Sequence, residues 1–216
     1  MKNRLAVLVT GVLIAAGLSV ALPQVASAAS CAGTYRIVVP GFGHGSDAGG
    51  FYNFDQRVGY SAQLTSQSAR EGVNELNRLV RDQRNVCPGQ HVRMIGHSEG
   101  AAVVQIWVTE NWQSFGNVNA VLLADPKRAP EGHGSGGLAG QPGTGIVGFP
   151  LVGVDNFFGN VPTVTICTDD IICDSTAPSG WLGYYPGTDH INYNFDANAY
   201  SDNGNGQWFY GQFFPR

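Results

Sequence analysis

Charged residues are scarce in this sequence, and basic residues are the scarcer kind. Asp, Glu, Lys and Arg make up 13% of the 216 residues, with 12 basic and 16 acidic side chains and a net charge of −4 at pH 7. Proteins that bind nucleic acid or an anionic membrane surface usually carry a basic patch. The composition favours neither partner, and we therefore expect no nucleic-acid binding.

Cysteine is also rare, and its spacing is unsuited to a zinc site. The chain has four cysteines, which are Cys31, Cys87, Cys167 and Cys173. Structural zinc ligands usually include C-x₂₋₄-C pairs or a nearby histidine pair, and neither pattern surrounds Cys167 and Cys173. In an exported chain, four cysteines indicate two disulfide bonds, for which three pairings are possible. We predict two disulfides and no metal site.

Long hydrophobic runs are absent except at the N-terminus. Two basic residues in positions 1–4 precede an apolar run over Leu5–Leu22, and Ala26-Ser27-Ala28 follows it. This order is typical of a signal peptide with an A-x-A cleavage site. A membrane anchor or a lipid anchor at Cys31 is the alternative, but a glycine and a proline interrupt the run. We predict cleavage after Ala28, a secreted or cell-envelope protein, and no transmembrane segment afterwards.

The remaining apolar segments predict an α/β fold. Strands are predicted over Thr34–Val39, the run that ends at Gly96, Val118–Ala124 and Val161–Cys167. Helices are predicted over Gln63–Arg84, from its apolar spacing, and directly after Ser98. Strands that alternate with helices favour parallel pairing with right-handed crossovers. We predict one domain over residues 29–216, with a small, mostly parallel sheet whose final strand is Val161–Cys167.

The segment Gly96-His97-Ser98-Glu99-Gly100 joins a predicted strand to a predicted helix. A G-x-S-x-G sequence in that context is typical of a nucleophile elbow, a sharp turn that exposes a serine hydroxyl above a sheet, although a plain Gly/Ser turn has the same letters. Ser98 is the candidate nucleophile. The N–H of Glu99, at the helix start, is one candidate oxyanion donor. The glycine loop after the first strand offers the N–H of Phe42 or Gly43 as the second.

A serine nucleophile needs a base, and the base needs an orienting carboxylate. His190 lies late in the chain, as the histidine does in the Ser…Asp/Glu…His order of α/β hydrolases. His97 adjoins the serine and is expected to point away from it. His44, His91 and His133 lie in polar or turn-like segments. We therefore predict His190 as the base.

Position along the chain leaves the third residue open among three aspartates. Asp125 ends the strand after the nucleophile, where some α/β hydrolases place their acid, but it also suits a strand-ending turn. Asp169 and Asp170 lie in a short loop between two cysteines, where a disulfide would hold a carboxylate in place. Asp189 is adjacent to the candidate base in sequence, which is usually poor geometry for orienting its ring.

Three more motifs accompany the serine turn, and they are Cys87-Pro88, His190-Ile191-Asn192-Tyr193 and the segment from Asp125 to Pro130. Together with the turn, they resemble the cutinase family of α/β hydrolases and the related PE-PPE hydrolases. Cys87-Pro88 before the serine turn looks like the Cys-Pro that precedes the cutinase G-Y-S-Q-G. His190-Ile191-Asn192-Tyr193 is similar to the family's H-x-x-Y. The segment from Asp125 to Pro130 looks like the PE-PPE D-P-x-R-P sequence.

The resemblance implies a residue assignment and a reaction. It implies that Cys31 pairs with Cys87 and Cys167 with Cys173. It selects Asp170, three residues before the second cysteine of its loop, and makes Asp125 a structural turn residue. It also implies a serine carboxylesterase that needs no cofactor and acts on small-molecule, lipid or polymeric acyl esters.

The chain departs from the family in three ways. Glu99 replaces a glutamine, Phe42 replaces a serine whose hydroxyl adjoins the oxyanion site, and the cysteine loop is one residue shorter, which keeps Asp169 as an alternative acid. The first two departures favour the rival hypothesis, a non-catalytic binding or envelope protein that retains the fold. We predict a monomeric esterase, and we expect aromatic residues of the 129–159 loop to line an apolar acyl pocket.

Overall fold

Seven strands form one sheet within the described part of the chain. The computed structural model describes residues 31–144, 153–184 and 189–216. The strands are β1 (Thr34–Val39), β2 (Gln56–Arg57), β3 (His91–His97), β4 (Val118–Leu123), β5 (Thr163–Cys167), β6 (Gly206–Phe209) and β7 (Gln212–Pro215). Their order is β2-β1-β3-β4-β5-β6-β7, and every neighbouring pair is parallel except β6 and β7. The predicted α/β class with a mostly parallel sheet is confirmed.

Two long helices cover one face of this sheet. Helix α1 (Ser66–Val86) begins at Thr65, whose side chain accepts a hydrogen bond from the Ser68 N–H at 3.1 Å. Helix α2 (Glu99–Asn111) is buried over most of its length because small and aliphatic residues let it pack closely on the sheet and on α1. A one-turn helix, α3 (Trp181–Tyr184), and short 3₁₀ helices lie in the later loops.

Alternate residues of the central strands pack on opposite faces of the sheet, as the period of a strand requires. Met94 and Leu122 face the two long helices, within a core that also contains Trp107. Ile95 and Val121 face the other way and are covered by irregular segments rather than by helices. The side chains that complete this second layer come from residues 48–54 and 193–200.

The strand prediction is wrong at the C-terminus. β5 was expected to be the last strand, but β6 and β7 follow it as a hairpin. Tyr210 and Gly211 form its two-residue loop, both with positive φ, at 49° and 80°. Such a loop matches the twist of paired strands. A tyrosine in the left-handed region is uncommon, so the sequence carries no strong turn signal at this point.

Both predicted disulfide pairings are confirmed. Cys31 is bonded to Cys87, with their Cα atoms 5.4 Å apart, and Cys167 to Cys173, with theirs 5.8 Å apart. The first bond joins the chain before β1 to the end of α1. The second closes the loop that follows β5.

Membrane-spanning helices and metal clusters are both missing from the described residues. No helix among them has the length and apolar character needed to span a bilayer, and they contain no cluster of three or more His, Cys, Asp or Glu side chains suited to a metal ion. The predicted signal peptide lies outside the described residues.

Candidate active site

Ser98 occupies a strained turn between β3 and α2. Its φ of 57° and ψ of −124° lie outside the regions that residues with a Cβ normally adopt. Two glycines permit the turn: a Cβ on Gly96 would lie 2.3 Å from the Gly100 carbonyl oxygen, and one on Gly100 would lie 2.0 Å from that of Val39. The Ser98 N–H donates to the Leu123 carbonyl at 2.9 Å. Strain of this kind persists only where the surrounding structure enforces it, and it is concentrated at functional sites.

His190 and Asp170 form a buried hydrogen-bonded pair. His190 Nδ1 lies 2.8 Å from Asp170 Oδ2. Because an ionised carboxylate only accepts hydrogen bonds, Nδ1 carries the proton and the lone pair of Nε2 is left available to a substrate or nucleophile. The Asp170 side chain is fully buried and accepts two further hydrogen bonds, from the Ile172 N–H at 2.9 Å and from the Tyr193 hydroxyl at 3.0 Å.

The other candidate aspartates make different contacts. Asp169 Oδ1 accepts a hydrogen bond from the Ser179 N–H at 3.0 Å. Asp125 is buried at the end of β4, where Oδ1 accepts from the Lys127 N–H at 2.9 Å, as in a turn. Burial raises the pKa of Asp125 to about 7. Of these three aspartates, the structure brings Asp170 alone to the His190 ring.

Sequence reasoning missed a contribution from His97. Its side chain is buried, and Nε2–H donates to the backbone carbonyl of His190 at 2.8 Å. The two imidazole rings lie against each other, with centroids 4.7 Å apart. Burial lowers the pKa of His97 to about 3, so the ring is neutral and retains a single N–H to donate. His97 thus holds the backbone of the candidate base.

Ser98 and His190 line one cavity of about 600 Å³, together with His97, Phe42 and Gly41. Among the described residues, neither the Ser98 hydroxyl nor His190 Nε2 makes a hydrogen bond, so the two groups are not directly bonded here. Catalytic hydrogen bonds are often long in free enzymes and shorten in the substrate complex. The cavity therefore supplies space for a reacting group beside both side chains.

A smaller cavity of about 190 Å³ lies on another side of Ser98. Its walls are mainly apolar, and the contributing side chains are Phe42, Leu64, Pro126, Ile172, Trp181 and Tyr184. The expectation that the 129–159 loop lines this pocket is wrong for its described aromatics. Phe157 packs on Trp112, with ring centroids 5.7 Å apart, and Phe158 packs in the core beneath the helices. Phe149, which belonged to the same expectation, lies outside the described residues.

Two backbone N–H groups near Ser98 are available to a ligand. Neither Phe42 nor Glu99 uses its N–H in a hydrogen bond within the described part of the chain. The loop that carries Phe42 passes close to the elbow, since a Cβ on Gly41 would lie 2.9 Å from Ser98 Cβ. These are the two predicted oxyanion donors, and they occupy the two segments that border Ser98.

The Glu99 side chain is directed toward α1. It is 2% exposed, and Oε1 accepts a hydrogen bond from the Ser68 hydroxyl at 3.0 Å. Burial raises the pKa of Glu99 to about 7, because the charged form loses its hydration. A protonated Glu99 is an uncharged neighbour of the candidate oxyanion site, as the glutamine of the family pattern would be.

Several solved structures are similar to this chain. A cutinase-like protein from Cryptococcus sp. is similar in structure at 18% identity, with a TM-score of 0.53 over 84% of this chain and 100% of that one. The catalytic core domain of acetyl xylan esterase from Trichoderma reesei matches at 13% identity and a TM-score of 0.49, over 75% of this chain and 98% of that one. The likeness to the Cryptococcus protein, at such low identity, indicates a shared fold alone.

Lysin B from Mycobacteriophage D29 also matches, at 18% identity and a TM-score of 0.41, over 45% of this chain and about half, 48%, of that one. Comparison with curated protein sequences gives no match. The family model for cutinase matches residues 46–199, which is well over half of the sequence and includes Ser98, Asp170 and His190. This protein belongs to the cutinase family.

Proposed function

We propose that this protein is a secreted serine carboxylesterase in which Ser98 is the nucleophile, His190 the general base and Asp170 the residue that orients the base. Family membership supports ester hydrolysis as the class of reaction. The observation that carries the residue assignment is the buried 2.8 Å hydrogen bond between His190 and Asp170, on a histidine that shares a cavity wall with the strained serine.

The first half of the reaction, acylation, uses the unprotonated Nε2 of His190 as the base. As Ser98 Oγ attacks the ester carbonyl carbon, His190 Nε2 accepts the hydroxyl proton, and the carbonyl electron pair moves onto oxygen. Collapse of this intermediate breaks the bond to the alcohol, which leaves with the proton from Nε2. The Asp170 carboxylate stabilises the imidazolium that forms between these two steps.

Deacylation repeats the sequence with water as the nucleophile. His190 takes a proton from water as its oxygen attacks the acyl carbon, and then returns a proton to Ser98 Oγ as the acid leaves. In both halves, the N–H groups of Glu99 and Phe42 stabilise the negative oxygen. Donors of this kind contribute about 10²–10³-fold each to kcat.

We assign the acyl and alcohol parts of the ester to the two cavities. The apolar cavity beside Ser98 suits the acyl chain, and the wider one beside His190 suits the alcohol. The cavity beside Ser98, at about 190 Å³, is smaller than the roughly 300–1,000 Å³ of pockets that hold drug-sized ligands, which favours a short acyl chain. Two disulfides fit an oxidising compartment outside the cell.

The assignment is tested with purified protein and p-nitrophenyl esters from acetate to palmitate. Ser98→Ala is expected to lower kcat/KM by about 10⁴-fold or more on the best ester, with short chains preferred and an unchanged circular dichroism spectrum. A fluorophosphonate probe is expected to label the wild type and not this variant. Absence of both labelling and hydrolysis in the wild type would instead support the non-catalytic binding hypothesis.

A further inference from the structure

The sheet face opposite α1 and α2 is left open at its β5–β7 edge. The irregular layer covers Val164 on this face but leaves Trp208 and Phe213 exposed by 42% and 38%. A groove of about 730 Å³ runs there, with Val164 and Ile166 in its floor. We call it the edge groove. Its volume lies within the range of pockets that bind small molecules or parts of polymers.

Two aromatic rings form a fixed wall of the edge groove. Trp208 and Phe213 are direct partners across the antiparallel pair of β6 and β7. Their ring centroids are 5.3 Å apart. Aromatic pairs across strands stabilise each other, and the two-residue hairpin loop holds their register. The wall therefore presents ring faces that need little ordering when a ligand binds.

The rim of the edge groove is rich in uncommitted polar groups. Asn192, Asn203 and Asn205 line it and are exposed, and none of their side-chain amides forms a hydrogen bond within the described ranges. Each amide offers two donors and an acceptor.

Charge is absent from the edge groove. Of the described residues that line it, none is Asp, Glu, Lys, Arg or His. A phosphate or carboxylate ligand would require Arg or Lys partners. A purely apolar ligand would cover the exposed amides without pairing them, at a cost in free energy.

We propose that the edge groove binds a neutral polysaccharide. The C–H faces of sugar rings pack on Trp208 and Phe213, and sugar hydroxyls pair with the asparagine amides. The site is separate from the ester-binding cavities, because no described residue that lines the edge groove also lines either cavity beside Ser98. Binding there would hold the protein on a glycan surface while the ester site stays open.

Native affinity electrophoresis tests the proposal. Ser98→Ala protein is run in gels that contain hydroxyethyl cellulose, arabinoxylan or glucomannan, with polygalacturonate as an anionic comparison. We expect retardation by at least one neutral polymer and none by polygalacturonate. In the same background, Trp208→Ala is expected to weaken binding by about tenfold, as loss of a central aromatic contact does. Trp181→Ala is the matched control, because this exposed tryptophan lies in the acyl cavity, and its binding should be unchanged.

Further measurements check that the variants fold and that no other ligand occupies the edge groove. With Ser98 intact, Trp208→Ala should keep wild-type circular dichroism, melting temperature and hydrolysis of a soluble ester. The double variant Asn203→Ala/Asn205→Ala changes only exposed side chains and should also weaken retardation. The proposal fails if no neutral polymer retards the protein or if Trp208→Ala leaves retardation intact. Two other outcomes would also contradict the proposal. One is that the protein binds phosphatidylcholine vesicles and Trp208→Ala abolishes that binding. The other is that sedimentation shows a dimer and Trp208→Ala abolishes it.

Discussion

The two faces of the sheet are covered in different ways. One face carries α1 and α2, whose side chains interlock around Trp107 and Leu76, both fully buried. The other is covered by irregular segments, which supply Tyr193 to the core and carry His190 nearby. The helical layer contributes mainly packing, and the irregular layer contributes groups held by individual hydrogen bonds. In α/β proteins a rigid scaffold commonly positions loop residues that do the chemistry.

Substitutions on the irregular side should therefore affect catalysis more than stability. The largest effect is expected for Asp170→Asn, which leaves the shape of the site but favours the wrong tautomer of His190. A loss of about 10⁴-fold in kcat is expected, measured on the best p-nitrophenyl ester. Asp169→Asn is the matched control and should keep kcat near the wild-type value. Equal losses in the two variants would contradict the assignment of Asp170.

A substitution in the helical layer should have the opposite outcome. Trp107→Ala removes a fully buried indole between α2 and the sheet. We expect the free energy of unfolding to fall by about 3–5 kcal/mol, measured by denaturant titration. Hydrolysis by the folded fraction at low temperature should be unchanged. If kcat fell while stability held, the division between the two layers would be wrong.

The two disulfide bonds extend the comparison, because one is attached to the end of α1 and the other closes the loop that carries Asp170. The Cys31–Cys87 bond closes 56 residues and the Cys167–Cys173 bond closes 6. Loss of loop-closure entropy predicts costs of about 4 and about 2 kcal/mol for the paired Cys→Ala variants. The loss of activity should follow the opposite order, with the larger loss when the Cys167–Cys173 bond is removed, because the smaller loop holds Asp170. Kinetics and melting curves of both double variants test this reversal.

Glu99 gives a smaller, pH-dependent effect in the helical layer. Its pKa is raised from 4.5 to about 7 on folding, so between these values the native state binds more protons than the unfolded state. Stability must then fall as pH rises through that window. Glu99→Gln removes this penalty, and we expect its stability advantage over the wild type to be roughly 2–3 kcal/mol larger at pH 8 than at pH 5.

Melting curves at the two pH values measure the Glu99 effect. Glu110→Gln, an exposed position on the same helix, is the control and should show no such difference. A constant advantage of Glu99→Gln at both pH values would contradict the buried, protonated Glu99.

Local signals made several elements predictable. The observed bounds of β1 are the predicted ones, because the β-branched run marks both of its ends. Each end of α1 lies within two or three residues of the end predicted from its apolar spacing. The fold class needed only the alternation of strand and helix patterns. β2 was missed because two residues carry no periodicity, and β6 and β7 because their pairing depends on a hairpin loop without a strong turn residue. The His97 contact was missed because it joins residues 93 positions apart.

The sequence by itself determined the turn at Ser98, since the glycines on either side are what that backbone requires and they act within five residues. It also determined that a sheet and a layer of helices can form, because the apolar periodicity that predicts strands and helices is a local property of the sequence. Only the tertiary structure decided which aspartate contacts His190, that His97 supports the base, and that one sheet edge stays open. Each of these features depends on which distant segments of the chain come together. The path of the chain through the fold decides this, and the residue types alone do not.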